Sequence, residues 1–547
     1  MSSLSTTENV LGAASADLPA PVTGWGRLAA DLAAVGGSGM ICQGLGIVTS
    51  LVLRGALDPA HMGVWQGLKL LLGYANYANL GISKGAAREL AIATGSGEQA
   101  RAERSLNLAF TVNTLTSLIY GGCLLAAAVW VARGGASLHY AWSTGLLLMA
   151  ALVVLQRHLT FHVTILRCRQ AFTLTSWVSL LEGLLTLALA GLGAWCWGLS
   201  GLLAGTLLTM AAAIIFLRRQ GAPTFRFAWQ WTEIRRLVAI GGPILLGGAA
   251  LNLFQSLDRL MLLGFSPERE VDLGLYSTTL LITGQIYGLA NLFAMVVAPR
   301  YAELFGKSGS RREVARFAAR ASELVAAVAS IAGVLGLVVA APLLGHLFVD
   351  YRPGLRPAAW LVPGTLMLAV TLPLHQYLVA VCRERVALVA SVAALALTAL
   401  GDYAVLAGGQ GMLGIAAITS VAYGLYCVAL FFLSLWPELD GQARRRYIFT
   451  HVVLLAFPIA LAVVFADPAS AQSDPVRFLS GSLAALAACV LALTTVWRWG
   501  GWDVAWRTEL AVLRPRPSIA AEHDAHRSSS ASQNPPTAYA SMHACRT

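Results

Sequence analysis

Residues 242–276 read GPILLGGAALNLFQSLDRLMLLGFSPEREVDLGLY, and they predict a membrane-spanning helix followed by a short turn. The first part is long and apolar but carries Asp258 and Arg259 near its end. Pro267 then marks a turn, and Gly274-Leu275-Tyr276 opens the next apolar run. We therefore expect a charged membrane segment at the point where the second half of the chain begins.

The composition of the chain is that of an integral membrane protein. Its 547 residues are 57% hydrophobic and only 12% charged, and the mean hydropathy is +0.67. A soluble domain carries about 25% charged residues. Apolar runs long enough to cross a ~30 Å hydrocarbon core recur along nearly the whole chain, which leaves little room for a separate catalytic domain.

Fourteen helix-length apolar runs predict an all-α polytopic membrane protein. They lie at about residues 32–53, 61–82, 107–131, 142–166, 173–196, 199–217, 238–263, 274–298, 321–341, 358–381, 386–406, 412–436, 448–466 and 478–497. The predicted regions are an N-terminal tail (1–30), an N-lobe (31–219), an amphipathic linker (220–237), a C-lobe (238–436), two further helices (437–500) and a disordered tail (501–547).

The distribution of Lys and Arg predicts the orientation in the membrane, because short loops rich in these residues stay cytoplasmic. Loops after the even-numbered spans, with Arg320 at the next helix start, hold 22 of them, whereas the alternate loops hold 6, Arg54 among these. Both termini and the linker are therefore expected on the cytoplasmic side. The net charge of +11 follows from this topology and requires no nucleic-acid partner.

Short motifs recur in the same order in the two halves. Leu57-Asp58-Pro59 with Gly63-Val64-Trp65 matches the turn that begins the second half, and Cys168-Arg169-Gln170 matches Cys382-Arg383-Glu384. The offsets between matches stay within 208–214 residues. Two related six-helix halves inserted in the same orientation imply a pseudo-symmetry axis along the membrane normal. Two lobes facing each other across a cleft are the expected architecture.

These motifs resemble the bacterial polysaccharide flippases of the Wzx type, in the superfamily that also contains lipid II flippases and MATE drug exporters. The resemblance spans residues 30 to about 500 and is carried by Asp58-Pro59 with Gly63-Val64-Trp65, Leu80-Gly81-Ile82 with Ala87-Arg88-Glu89, Leu257-Asp258-Arg259-Leu260 with Gly274-Leu275-Tyr276-Ser277, and Ala298-Pro299-Arg300. It implies a MATE-like V-shaped cavity in the bacterial inner membrane that moves an undecaprenyl-pyrophosphate-linked oligosaccharide outward. The partners that this resemblance implies are membrane lipids, a polysaccharide polymerase and a co-polymerase.

Ionisable residues inside spans are candidate functional sites, because each costs about 2.5–3.5 kcal/mol at a helix centre on insertion scales. Lys69 lies near the middle of span 2, and Gln66, Asn76 and Tyr77 share its face at helical spacing. A cation beside amide and aromatic groups suits a pyrophosphate that bears sugars. The alternative is an ion pair between Lys69 and Glu182 of span 5.

Span 4 offers Arg157, His158 and His162 as a polar cavity wall, with Arg157 meeting phosphate. The two histidines are four residues apart, but no third ligand completes a zinc site. A satisfied buried histidine is the alternative for His162. Span 10 places His375 and Gln376 at the equivalent depth of the second lobe.

Span 7 places Asn252, Gln255 and Arg259 on one stripe, with Asp258 beside it. Adjacent helical residues point about 100° apart, so Asp258 and Arg259 are not expected to face one another. Arg259 is assigned to the outer part of the cavity. Asp258, Glu182 and Asp402 are candidates for coupling to H⁺ or Na⁺ or for gating; no other cofactor and no bound metal is predicted.

Four functions fit parts of this pattern. Lipid-linked oligosaccharide translocation leads; a lipid II flippase and a cation- or proton-coupled small-molecule exporter are the alternatives within the same class. The fourth, a membrane-bound glycosyltransferase, polymerase or ligase, requires a large external loop with catalytic groups. The longest external loop, near residues 342–357, has only Asp350 as an acid, so an enzyme is not expected.

Overall fold

The computed structural model describes residues 25–96, 98–134, 137–169, 171–456 and 475–499, and these are almost entirely helical. The first half contains α1 (Trp25–Ala56), α2 (Pro59–Ala75), α3 (Ile82–Ser96), α4 (Gln99–Ala132), α5 (Ser137–Cys168), α6 (Phe172–Leu185) and α7 (Gly191–Arg219). The second contains α8 (Trp231–Phe265), α9 (Arg269–Ser308), α10 (Arg311–Leu335), α11 (Ala341–Leu347), α12 (Arg356–Ala380), α13 (Glu384–Ala407) and α14 (Gly411–Leu430). Two C-terminal helices follow, α15 (Gly441–His451) and α16 (Pro475–Trp499). Most of both predicted tails, residues 1–24 and 500–547, lies outside the described residues.

The helical spans confirm the predicted fold class. Within the described residues, nine helices are long and apolar enough to cross a membrane, and a tenth span results if the two parts of α8, bent by 43° at Pro243, are one span. Proline removes a backbone hydrogen bond and bends a helix at this point. The predicted thirteenth span, 448–466, begins earlier, with α15, and its residues 457–466 lie outside the described part of the chain.

The second predicted span, 61–82, is wrong at its end. Helix α2 stops at Ala75, a turn covers residues 76–81, and the predicted loop that follows is helix α3. Leu80 and Gly81 have φ angles of 54° and 84°, which are left-handed, and the Asn79 side chain accepts a hydrogen bond from the Gly81 amide at 3.0 Å. A left-handed pair of this kind cannot continue a right-handed helix.

Spans 5 and 6 form a tight hairpin, as predicted. Trp197 and Gly198 have non-helical backbone angles and separate the two arms. The arms cross at Gly193 and Gly201, where an added Cβ would lie 2.3 and 1.9 Å from the carbonyl oxygen of the other glycine. Small residues permit this backbone approach.

The helices pack into two lobes with separate cores. Helices α1–α7 enclose the core around Leu68, Met149 and Leu152, whereas α8–α14 enclose the one around Phe254, Tyr276 and Tyr377. We call the face that carries residues 56–59, 197–198, 266–268 and 349–355 the outer face, and the opposite face, with residues 76–81 and 219–230, the inner face, following the charge-based prediction.

The C-terminal helices pack on the C-lobe through polar contacts. Glu323 of α10 is buried, and Arg446 of α15 donates to it at 2.9 Å. The Ser322 hydroxyl lies 3.0 Å from the Tyr447 hydroxyl and 3.1 Å from His451 Nε2. Helix α15 is therefore bonded to the second lobe.

The segment between the lobes is bonded to the N-lobe. Residues 222–230 have no regular secondary structure, and the amides of Arg226 and Ala228 donate to the side chains of Asn107 and Thr111, each at 2.9 Å. The rest of the predicted linker, from Trp231, is the first part of α8. The bend at Pro243 consequently lies between the bonded linker and the body of the C-lobe.

Candidate substrate cavity between the lobes

Lys69 projects from α2 between the lobes and is accessible to solvent. Its ammonium lies 5.9 Å from the centre of the Trp65 ring, within cation–π range. The charged groups in electrostatic range are Arg259 of the other lobe and Arg54. Among the described residues Lys69 has no ion pair, and the ion pair with Glu182 that the sequence left open as an alternative is not formed there. Three cations thus lie between the lobes, with Arg54 and Arg259 in electrostatic range of Lys69, and Lys69 has no acidic partner among the described residues.

Arg54 is the cation that sequence reasoning misplaced. The count of loop charges places Arg54 in an outer loop, yet the residue lies inside α1 and is 4% exposed. Its guanidinium crosses to the C-lobe, where it donates to the Ser277 carbonyl at 2.7 Å and to the Ser277 hydroxyl at 3.1 Å. The available signal is an arginine directly after an apolar run and four residues after Ser50, one helical turn away.

Arg259 and Asp258 contact each other, which corrects the expectation that adjacent helical residues cannot. Arg259 Nε lies 3.5 Å from Asp258 Oδ1, and the same oxygen accepts the Arg259 amide at 2.8 Å. The Asp258 side chain folds back on its own backbone, and the long arginine stem reaches it. Arg259 also donates to the Gln255 carbonyl at 2.7 Å and remains partly exposed, at 27%.

Asp402 of α13 lies beside Asp258. It is fully buried, both of its carboxylate oxygens lack a hydrogen-bond partner among the described residues, and Asp258 is the charged group within its electrostatic range. Asp258 is also buried, and its other oxygen accepts from the Tyr276 hydroxyl at 3.0 Å. A buried carboxylate without a hydrogen-bond partner is costly in its charged form, and a second buried carboxylate within electrostatic range adds to that cost.

Arg157 is buried inside the N-lobe, with 2% of its surface exposed. It donates to the carbonyl of Ala75, to Asn113 Oδ1 at 2.7 Å and to Thr116 Oγ1 at 3.2 Å. Ala75 is the last residue of α2, and a helix end inside a membrane protein leaves carbonyls that need donors. In this conformation the Arg157 guanidinium therefore supplies a hydrogen-bond donor to the carbonyl end of α2, where the chain breaks before α3.

The predicted histidines fall in different surroundings. His162 is 8% exposed and makes edge-on contacts with the rings of Phe110 and Phe161 and a tilted contact with Phe225, while half-buried His158 lies 3.5 Å from the Thr114 hydroxyl. Half-buried His375 has a buried Nδ1 with no partner among the described groups. The structure does not gather these three residues into one wall with Lys69.

The predicted amides and Tyr77 lie closer to the interlobe space. Tyr77 donates to the Gly248 carbonyl of the opposite lobe at 3.3 Å and lies beside Asn252. Gln255 donates to the Tyr287 hydroxyl at 2.8 Å. The half-buried members of this predicted set are Gln66, Asn76, Tyr77, Asn252, Gln255 and Gln376, together with Glu182.

The outer face is closed by contacts between the lobes. Gly63 of α2 and Gly274 of α9, which hold matching places in the repeat, cross so closely that an added Cβ on either would lie 1.7 Å from a backbone oxygen of the other helix. The Tyr351 hydroxyl donates to the Leu57 carbonyl at 2.7 Å, and Trp142 Nε1 donates to Glu270 at 3.0 Å.

Contacts also join the lobes at the inner face. An added Cβ on Gly81 would lie 2.5 Å from the Gly241 backbone. Arg236 of α8 donates to buried Glu89 of α3 at 2.8 Å, and Arg101 bonds the same carboxylate at 2.6 Å. The described residues therefore show two lobes that touch at both faces.

The two-lobed architecture matches solved structures of the MOP superfamily. A lipid II flippase, MurJ, in an inward closed conformation aligns with a TM-score of 0.61 and 12% identity, over 84% of this chain and 98% of that one. An inward-facing multidrug MATE transporter gives 0.58 and 16% identity, over 74% and 96%. A MOP transporter from Pyrococcus furiosus gives 0.54 and 15% identity, over 77% and 96%. The fold is that of a MOP-superfamily transporter.

The particular family follows from the sequence. The model of the polysaccharide biosynthesis protein family matches residues 28–305, just over half of the chain, and the chain belongs to that family. No curated protein matches it. The resemblance inferred from the motifs is confirmed at the level of family and fold, for a multi-pass membrane protein whose structural neighbours are transporters and not enzymes.

Proposed function

We propose that this protein flips undecaprenyl-pyrophosphate-linked oligosaccharide repeat units from the inner to the outer leaflet of the bacterial inner membrane, with both termini cytoplasmic. Membership of the polysaccharide biosynthesis protein family supports a role in that pathway. The fold it shares with a lipid II flippase and with MATE transporters supports movement of a substrate without chemical change.

The observation that carries the proposal is the group of three cations between the lobes. Lys69 is accessible and lacks an acid partner among the described residues, and it lies near Arg54 and Arg259. Like charges held together in a low-dielectric space repel unless an anion joins them. A pyrophosphate provides such an anion, and the amides and tyrosines around it suit sugar hydroxyls.

The contacts at the two faces suggest how the cavity alternates. Opening towards the cytoplasm requires the Glu89–Arg236 pair to part, while opening outward requires Arg54 to leave the Ser277 carbonyl. An Arg54 guanidinium released in this way joins Lys69 as a cation for the head group. Substrate binding and outer opening would then favour each other.

Asp258 and Asp402 are the proposed coupling site for H⁺ or Na⁺. Asp402 has no hydrogen-bond partner among the described residues and lies within electrostatic range of Asp258. A proton or cation taken up there from outside removes the repulsion between the carboxylates. Because Asp258 also contacts Arg259, occupancy of this pair changes the charge that the substrate cavity presents.

The test is a Lys69→Ala variant expressed in a bacterial strain that lacks its own repeat-unit flippase. We expect polymer synthesis to fall to the background of the empty strain, with undecaprenyl-linked repeat units accumulating where an externally added glycosidase cannot reach them. Lys69→Arg keeps a cation and should retain partial activity, although it presents a different shape.

Lys84→Ala is the matched control, because Lys84 is an exposed lysine of α3 outside the cavity. It should support normal polymer synthesis at equal expression. Near-normal polymer with Lys69→Ala would overturn the assignment of the cavity. Rescue of a strain depleted of its lipid II flippase, with no effect on polymer synthesis, would instead assign the substrate to cell-wall synthesis.

A further inference from the structure

A pocket of about 340 Å³ opens on the outer face of the N-lobe, and its described lining does not include Lys69, Arg54 or Arg259. It lies where the connection before α2, the start of α5 and the hairpin tip at Trp197–Gly198 within α7 come together. Its described lining includes Asp58, His61, Tyr140, Thr144, Trp197 and Ser200. Its volume is at the lower end of the roughly 300–1,000 Å³ typical of small-molecule sites, which is enough for a mono- or disaccharide.

Two aromatic side chains give the pocket apolar surfaces. Trp197 and Tyr140 are 73% and 76% exposed, and both line this one concavity. Trp197 stands at the hairpin tip, where the backbone leaves helical geometry. Interfacial aromatics commonly lie singly against lipid headgroups, whereas here two of them border a depression that also holds hydrogen-bonding groups.

Asp58 and His61 form the polar side of the pocket. Asp58 caps α2 by accepting the His61 amide at 2.7 Å, and its carboxylate also holds His61 Nδ1 at 2.9 Å. The two side chains nevertheless remain 58% and 45% exposed. In neutral His61 this contact places the ring proton on Nδ1 and leaves Nε2 as an acceptor, beside a carboxylate that still has free lone pairs.

The charge of the lining argues for a neutral polyol. Among the described residues that line it there is no Lys or Arg, so the pocket lacks the cation that a pyrophosphate or a phospholipid phosphate would need. Acceptors that receive hydroxyl protons, combined with aromatic faces that pack against the C–H face of a ring, suit a sugar.

We infer that this outer pocket of the N-lobe is a second carbohydrate-binding site, which takes one or two sugar rings of the oligosaccharide as it leaves the protein. The choice of ligand rests on the proposed function. The location fits this step, because the Leu57 carbonyl in the pocket lining accepts the Tyr351 hydroxyl that closes the outer face. Opening of the outer face therefore places the pocket at the rim of the exit.

Cys196 provides a reporter for occupancy. It is exposed and adjacent to Trp197, while exposed Cys168 lies at the opposite end of the N-lobe. Purified protein in lipid nanodiscs is labelled with a maleimide, with and without repeat-unit oligosaccharide released from its lipid carrier, and peptides are quantified by mass spectrometry. We expect saturable protection of Cys196 and none of Cys168.

The variant that decides the inference is Trp197→Ala, which removes one stacking surface from an exposed tip. It should weaken protection of Cys196 by about fivefold, as the loss of one aromatic contact predicts, and Trp197→Phe should restore most of it. Trp195→Ala is the matched control, since Trp195 is 68% exposed and is not in the described lining.

Protection that is absent, or unchanged in Trp197→Ala, would overturn the inference. Equal protection by glycerophosphoethanolamine would also overturn it, by assigning the pocket to lipid headgroups. The outcome is independent of the cavity, because Lys69→Ala should lose flipping and keep the protection of Cys196. Failure of the wild-type protein to restore polymer synthesis in the flippase-deficient strain would refute the proposed function alone.

Discussion

Three arginines inside apolar segments have three different surroundings. Arg157 is bonded to the end of α2, Arg54 is bonded across to the second lobe, and Arg259 shares its charge with Asp258 while remaining partly exposed. Lys69 differs from all three, because it is accessible and has no acid partner among the described residues. Cationic residues in the membrane-spanning part therefore have different surroundings: Arg157 is bonded inside the N-lobe, Arg54 joins the two lobes, and Lys69 remains accessible to an anion.

Arg157→Ala should act on stability first. The change leaves the Ala75 carbonyl and Asn113 Oδ1 without their donor in a buried place, at a cost of about 1–3 kcal/mol for each group left unsatisfied. We expect a lower thermal midpoint in nanodiscs and poorer yield, measured by tryptophan fluorescence during heating. Lys69→Ala should match the wild-type midpoint. An Arg157→Ala protein as stable as wild type but inactive would favour a direct contact with substrate.

Asp402→Asn should uncouple transport from its ion. The amide cannot carry the charge that holds a proton or Na⁺ opposite Asp258, yet it is nearly the same size. In vesicles with an imposed pH or Na⁺ gradient, wild-type translocation should rise with the gradient, and the variant should be slow and indifferent to it. The control is Asp350→Asn, which alters an exposed outer carboxylate away from this pair. A full gradient response in Asp402→Asn would remove the carboxylate pair from the mechanism.

At the scale of elements, glycines decide where helices of the two lobes can touch. Gly63 and Gly274 let α2 and α9 cross at the outer face, and Gly81 and Gly241 do the same for the α2–α3 turn and α8 at the inner face. Pro243 bends α8 just after this inner contact. Each crossing can be separated by one methyl group, so the balance between closed and open faces is sensitive to single glycine substitutions.

Gly274→Ala should open the outer face. Its Cβ would lie 1.7 Å from the Pro59 carbonyl oxygen. Because this oxygen belongs to the backbone, it cannot move aside as a flexible side chain would, so α2 and α9 must move apart. In a Lys69→Cys background, labelling by a membrane-impermeant maleimide from outside should rise several-fold. Gly264→Ala adds the same methyl group in open space and should leave the rate unchanged. An unchanged rate in Gly274→Ala would show that this crossing does not hold the outer face shut.

At the scale of the whole molecule, the protein is two lobes held together at both faces. The inner contact includes a charge pair between buried Glu89 and Arg236, and the outer one includes Arg54 on the Ser277 carbonyl. The linker is bonded to the N-lobe, and α15 is bonded to the C-lobe. Because Arg236 precedes the bend at Pro243, opening the inner face moves the whole of α8 away from α3, while each lobe keeps its own core.

Exchange of the inner charge pair should separate attraction from residue identity. Glu89→Arg gathers three cations at the inner face, namely the new arginine, Arg101 and Arg236. The inner face should therefore stay open, and polymer synthesis should fall. The double variant Glu89→Arg with Arg236→Glu restores opposite charges and should recover part of the activity. If each single variant and the double variant behave alike, the pair has no role in closing the inner face.

Most of the fold could be predicted because its signal is local. Apolar length and turn residues located the spans, including the hairpin break at Trp197–Gly198, and the repeat located the lobes. The end of α2 was missed, because the left-handed pair Leu80–Gly81 lies in a run that still looks apolar. For the site, the sequence indicated Lys69, Asp258 and Asp402 as unusual charges but did not indicate which of them meet.

The sequence by itself determined that this protein is a polytopic membrane protein of two related halves, because hydrocarbon thickness and backbone hydrogen bonding permit few alternatives to such apolar runs. Only the tertiary structure decided which intramembrane charges face the cavity. The rotation of each helix and its neighbours set that choice, and they depend on packing between segments far apart in the chain. For this reason Arg157 is bonded inside the N-lobe, Arg54 reaches Ser277, and Lys69 is left exposed.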